Sequence, residues 1–136
     1  MSHALSFTQP TSVGRGRSGV IALWVVQIAL AGMFLLAGGS KLLGAPAMVA
    51  LFNTIGIGQW FRYVTGLIEV GSAIALLVYS TAVFGALALV PTMIGAVATE
   101  LFIARDSAVP AAVLLLGAVG VVWARRQKLL GHIVRQ

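Results

Sequence analysis

Residues 64–103 read VTGLIEVGSAIALLVYSTAVFGALALVPTMIGAVATELFI, and only Glu69 and Glu100 carry charge in the whole stretch. An α-helix rises about 1.5 Å per residue, so one helix of this length would be about 60 Å long, roughly twice a bilayer core. The stretch must therefore fold back as a hairpin of two spans. Tyr79, Ser80 and Thr81 form the polar cluster nearest its middle, and the turn is placed there. The predicted spans are about 61–79 and 82–104. Pro91 falls inside the later one. It lacks a backbone donor and its ring crowds the carbonyl of Leu87, so a kink is expected.

Working outward, GVIALWVVQIALAGMFLLAG at 19–38 has no charge and matches one bilayer core. Arg15 and Arg17 before it resemble the basic flank of a signal peptide, but the apolar run is too long, so it reads as an uncleaved first span. Downstream, Arg105, Asp106 and Ser107 interrupt the apolar pattern. Asp106 or Ser107 can cap a fourth span, about 107–124, with Pro110 in its first turn and Trp123 at the interface. In the long connection at 39–60, Pro46 can open a helix in which Met48, Leu51, Phe52 and Ile55 make one apolar stripe. That segment is too short to span and is expected to lie in the interface. Trp60, Phe61 and Tyr63 then mark an aromatic belt.

Composition agrees. The 136 residues are 60% hydrophobic and 9% charged, with mean hydropathy +1.03; soluble domains carry about 25% charged residues. The expected fold is an all-α integral membrane four-helix bundle. Residues 1–18 read as a disordered tail and 125–136 as a basic one. The net charge of +6 would point to nucleic acid in a soluble chain. Here the basic residues gather at the ends of an apolar chain, which fits membrane orientation and no nucleic-acid role. With both termini cytoplasmic, Arg15, Arg17, Arg125, Arg126, Lys128 and Arg135 lie inside, against Lys41, Arg62 and Arg105 outside. This favours an N-in, C-in topology. There is no cysteine, and the two histidines lie in the tails. That removes thiolate chemistry and offers no intramembrane histidine to a metal or haem.

Helices in lipid associate through small and polar residues. Gly71 with Ala75, and Gly120 with Ala124, are small-residue pairs. Ala88, Thr92, Ala96 and Glu100 recur every four residues along the third span, one face that reads as a packing seam or else as a ligand groove. Glu69, about 12 Å along its helix from Phe61, is costly to bury alone. Lys41 is its best partner by reach and Arg62 the next, and Glu100 approaches the same leaflet. The cluster reads either as an ion-paired clamp or as a polar pocket for a lipid or quinone headgroup or a proton. Gln27 and Thr65 could extend that pocket, or could bond helix to helix. Arg125, Arg126 and Lys128 are expected to meet anionic lipid at the surface, while Leu129, Leu130, Ile133 and Val134 could form an amphipathic turn there.

These residues resemble a known family. LLAGGSKLLG at 35–44 is similar to the first-helix signature of the DoxX-like family, and Gly66-x-x-Glu69 before an apolar run to its second-helix signature. Phe52 and Gly56 before the aromatic entry fit as well, and the resemblance extends over roughly residues 20–125. It implies a bacterial inner-membrane four-helix bundle in which Lys41, Gly66 and Glu69 occupy signature positions. It also implies a place beside other proteins, since some relatives are associated with quinone-linked sulfur oxidation or oxidative-stress complexes. The expected role is a non-enzymatic accessory subunit of a larger inner-membrane complex, with other membrane-protein subunits as partners. The alternative is a quinone- or lipid-binding protein supporting an oxidoreductase. No resident cofactor and no metal are expected beyond such a bound quinone or lipid.

Overall fold

The computed structural model describes residues 17–134, with the side chains of 128, 129 and 131–134 excepted. The chain forms α1 (Arg17–Leu42), α2 (Pro46–Ile55), α3 (Gln59–Leu77), α4 (Ala82–Thr99) and α5 (Val109–Val134), with a π-helical turn at Glu100–Ala104 continuing α4. There is no strand among the described residues. Four helices are long and apolar enough to cross a membrane, and α2 is not. The protein is a multi-pass membrane four-helix bundle.

α1 packs on α3, α3 on α4 and α4 on α5, and α5 returns to α1, closing a ring. Leu30 and Phe34 from α1, Leu76 from α3, Leu89 and Met93 from α4 and Val121 from α5 meet in its centre. Much of the outer surface is equally apolar: Ile21, Leu36, Leu67, Phe102 and Leu116 are each more than half exposed. Hydrophobicity therefore does not separate inside from outside, and close contact does. A methyl group built on Gly38 would lie 2.9 Å from the Gly66 carbonyl oxygen, and one on Gly85 would lie 2.7 Å from that of Ser72. These glycines let α1 meet α3, and α3 meet α4, backbone to backbone. Gly71 and Gly120, read as packing positions, meet nothing within 4 Å. Small size permits close approach without requiring it.

Several boundaries differ from the sequence expectation. α1 runs four residues past the expected end at 38, so Lys41 sits in its last turn rather than beyond it. Arg17 and Ser18 already belong to α1; the rest of the expected disordered tail, residues 1–16, lies outside the described residues. α3 stops at Leu77, and Thr81 Oγ1 closes the turn by donating to the Ala75 carbonyl (3.0 Å). α5 continues through Arg125 and Arg126 to Val134, so the basic segment extends a helix instead of leaving it. Of the amphipathic turn expected there, the side chains of Leu129, Ile133 and Val134 lie outside the described residues.

Candidate functional site

The site is built on the Gly38–Gly66 crossing. Gly38 would clash with the Glu69 Cβ if it carried a side chain, so Glu69 is pressed against the α1 backbone. α1 and α3 run antiparallel. Lys41 stands three residues beyond Gly38, and Glu69 three residues beyond Gly66 on the opposite heading. The lysine stem therefore has to travel inward to close the gap, which its four methylenes allow. Lys41 Nζ donates to both carboxylate oxygens, at 2.9 and 2.8 Å. The side chains are 15% and 3% exposed, so this pair is held largely out of water.

Arg62, expected as the second partner of Glu69, is directed elsewhere. Its Nη1 donates to the Lys41 carbonyl and its Nε to Gln59 Oε1 (2.7 Å), and its guanidinium lies over the Tyr63 ring. The last carbonyls of a helix lack intrahelical donors and carry partial negative charge, and an arginine there satisfies both conditions. Gly44, in the left-handed region at φ 73, turns the chain just under this guanidinium, and a β-branched or bulky residue would be strained there. Gln59 in turn donates to Asn53 Oδ1 and the Val49 carbonyl. Arg62 thus ties the end of α1 to α3, and through Gln59 to α2. It shapes the site from behind and leaves Lys41 to Glu69.

In front of the ion pair lies a half-open cavity of about 690 Å³, which all four spans and α2 line. Lys41, Glu69 and Glu100 are its charged residues, and Thr65, Thr92 and Thr99 contribute hydroxyls. Each threonine hydroxyl donates to a carbonyl one turn back in its own helix, leaving its oxygen free to accept. The other walls are mainly apolar, with Phe34, Met48, Leu51, Phe61 and Ile68 among them. Ala88, Thr92, Ala96 and Glu100 all line this cavity, and Ala96 also packs against the core. The small side chains of this face are the reason there is space. Met48, Leu51, Phe52 and Ile55 place the α2 stripe along the same cavity, so the short helix is its cover at one end. Glu100 opens the π-helical turn, an irregularity common at functional positions. The described residues contain no group of three or more His, Cys, Asp or Glu able to hold a metal.

Two expected residues lie elsewhere. Gln27 is fully buried near the opposite end of the bundle, where its Nε2 donates to the Leu76 carbonyl (2.8 Å). Arg125, expected on the membrane surface, is 7% exposed and donates from Nε to Gln27 Oε1 (2.8 Å). Arg126 remains at the surface, stacked on Trp123. The Lys128 side chain lies outside the described residues. Sequence reading overlooked Gly38, although Gly38-x-x-Lys41 repeats the spacing of Gly66-x-x-Glu69.

Comparison with protein families matches the DoxX-like family over residues 25–123, most of the chain. The chain belongs to the DoxX-like family. No curated protein and no solved structure matched it. In this DoxX-like protein the matched region spans all of the cavity-lining residues and the Lys41–Glu69 pair.

Proposed function

We propose that this DoxX-like protein binds a membrane amphiphile, a quinone or a lipid, in the cavity beside Lys41 and Glu69. The observation that carries the reading is the pairing of about 690 Å³ of mainly apolar space with charged groups at its wall. That volume lies within the range of small-molecule sites, which combine apolar walls with a few placed polar groups. An ion-paired clamp that only fixed helix register would need no such space in front of it. Here the apolar wall suits a tail or ring. Lys41 Nζ, the Glu69 and Glu100 carboxylates and the threonine oxygens suit a headgroup carrying both donors and acceptors. The cavity is placed in the outer leaflet of a bacterial inner membrane, following the distribution of basic residues.

The test is mass spectrometry of small molecules extracted with the chain from its own membrane. One enriched quinone or lipid is expected. It is lost on Glu69→Gln, and also on Ala96→Trp, which puts bulk into the cavity and keeps both members of the ion pair. Unchanged small-molecule content in both variants removes the cavity from consideration.

A second reading, an accessory subunit of a larger transport or redox assembly, is supported by a different observation. Gly32, Gly39, Gly71 and Gly120 have open space where a side chain would be, and such small positions allow a partner helix to approach closely. It predicts a stoichiometric membrane-protein partner in the same preparation.

A further inference from the structure

Arg125 is a buried cation, and among the described residues no carboxylate lies at its end of the molecule. The chain has three acidic residues, Glu69, Glu100 and Asp106. Glu69 is taken by Lys41, Glu100 lines the cavity, and Asp106 sits in the connection just beyond the π-helical turn. Arg125 lies level with the α3–α4 turn instead, because Gln27 bonds both to it and to Leu76. Burying a charge without a counter-charge is expensive, so something must offset it.

The surroundings fix the guanidinium tightly. Nε is held by Gln27, whose amide is itself fixed by the Leu76 carbonyl. Its Cζ lies 4.7 Å from the Tyr79 ring centroid and 5.4 Å from that of Trp24. Among the described residues no fully buried side-chain nitrogen lacks a partner, and Arg125 donates to Gln27 through Nε. The Nη donors therefore keep some exposure, beside the Tyr79 and Trp24 rings. Arg126, the next residue, is stacked on Trp123 at the surface. A forked, pre-oriented pair of donors at the membrane–water boundary matches a phosphate held in two-point fashion.

We propose that Arg125, framed by Trp24 and Tyr79, binds the phosphate of an anionic phospholipid, which serves as its counter-ion. The site is separate from the Lys41–Glu69 cavity and faces the other leaflet. Because anionic lipid is enriched at cytoplasmic surfaces, it also gives α1 and α5 an anchor on that side.

The test is native mass spectrometry on the full chain, released from nanodiscs of equal parts phosphatidylglycerol and phosphatidylcholine. Retention of one phosphatidylglycerol per chain in preference to phosphatidylcholine is expected. Arg125→Gln is expected to lower that retention about tenfold, the effect of losing one charge-assisted contact. Arg105→Asn, which removes an exposed cation from the opposite end, is expected to leave it unchanged. Equal retention of the two lipids, or equal retention by Arg125→Gln, overturns the proposal. If that variant does not fold, Arg125→Lys and the wild-type lipid preference decide between the same outcomes. A thermal shift in detergent with inorganic phosphate separates the remaining source. Stabilisation by free phosphate equal to that by phosphatidylglycerol makes the site a general anion site and overturns the lipid assignment.

Discussion

At the scale of single residues, Lys41 and Glu69 stabilise each other and neither is cheap alone. A buried pair that loses one member leaves an uncompensated charge, at a typical cost of about 3–5 kcal/mol, whereas replacing both members with apolar groups is often neutral. Lys41→Met is therefore expected to destabilise the bundle by about that amount, and Lys41→Met with Glu69→Met to recover most of it. Unfolding in mixed micelles, followed by circular dichroism, measures both. Failure of the double variant to recover stability would mean that the pair is more than mutual compensation. The same physics explains why Arg62 is not the partner of Glu69. An arginine fork and a helix C-terminus satisfy each other directly, so the carboxylate was left to the lysine with its flexible four-carbon stem.

At the scale of elements, the contacts that set the geometry are glycine against backbone. Gly38→Ala would push its methyl into the Gly66 carbonyl and the Val70 side chain, at 2.9 and 2.8 Å. The helices must separate, and overpacking of this kind costs about 1–3 kcal/mol. It also draws Glu69 away from Lys41, so loss of stability and loss of any bound amphiphile are expected together. Gly71→Ala has open space around it and is expected to fall within about 0.5 kcal/mol of wild type. Parallel unfolding curves for the two variants check the contrast. An equally damaging Gly71→Ala in its native membrane, but not in detergent, would instead reveal a partner helix on that face. The short helix α2 belongs to this scale too. Its apolar stripe, too brief to cross a bilayer, found its burial by covering the end of the cavity between α3 and the π-helical turn.

At the scale of the whole molecule, the bilayer is the solvent, and the ring of four spans leaves apolar side chains on both its inner and outer surfaces. The two polar centres lie towards opposite ends: Lys41, Glu69 and Glu100 at one, Gln27 and Arg125 at the other. Topology decides which leaflet each faces. The N-in, C-in proposal places the Lys41 end outside. The chain has no cysteine, so single-cysteine variants at Ser18 and at Ile57, in the α2–α3 connection, can be labelled cleanly in intact cells. A membrane-impermeant maleimide is expected to label Ile57→Cys and to spare Ser18→Cys. The reverse pattern inverts the topology and moves the proposed cavity to the cytoplasmic leaflet.

Four spans, a non-spanning helix after the first, and the positions of their charges were readable from the chain itself. Span length and hydropathy obey the bilayer thickness, which is a one-dimensional constraint on consecutive residues. The reach of Lys41 to Glu69 was readable for the same reason, since both lie near the same end of neighbouring helices. What the linear pattern could not specify was which face of each helix meets which neighbour, because in lipid the outer face is as apolar as the inner one. Gly38 and Gly66 touch while Gly71 and Gly120 do not, although all are small residues on spans. Arg125 looks like a surface cation in the sequence, yet it is buried against Gln27, 98 residues away in the chain. The cavity likewise exists only where small residues of α4 face the ion pair of α1 and α3. Sequence determined how many spans this protein has and near which span ends its charges lie; tertiary packing alone decided their partners, because partnership depends on helix rotation and crossing, which no periodicity in a uniformly apolar chain records.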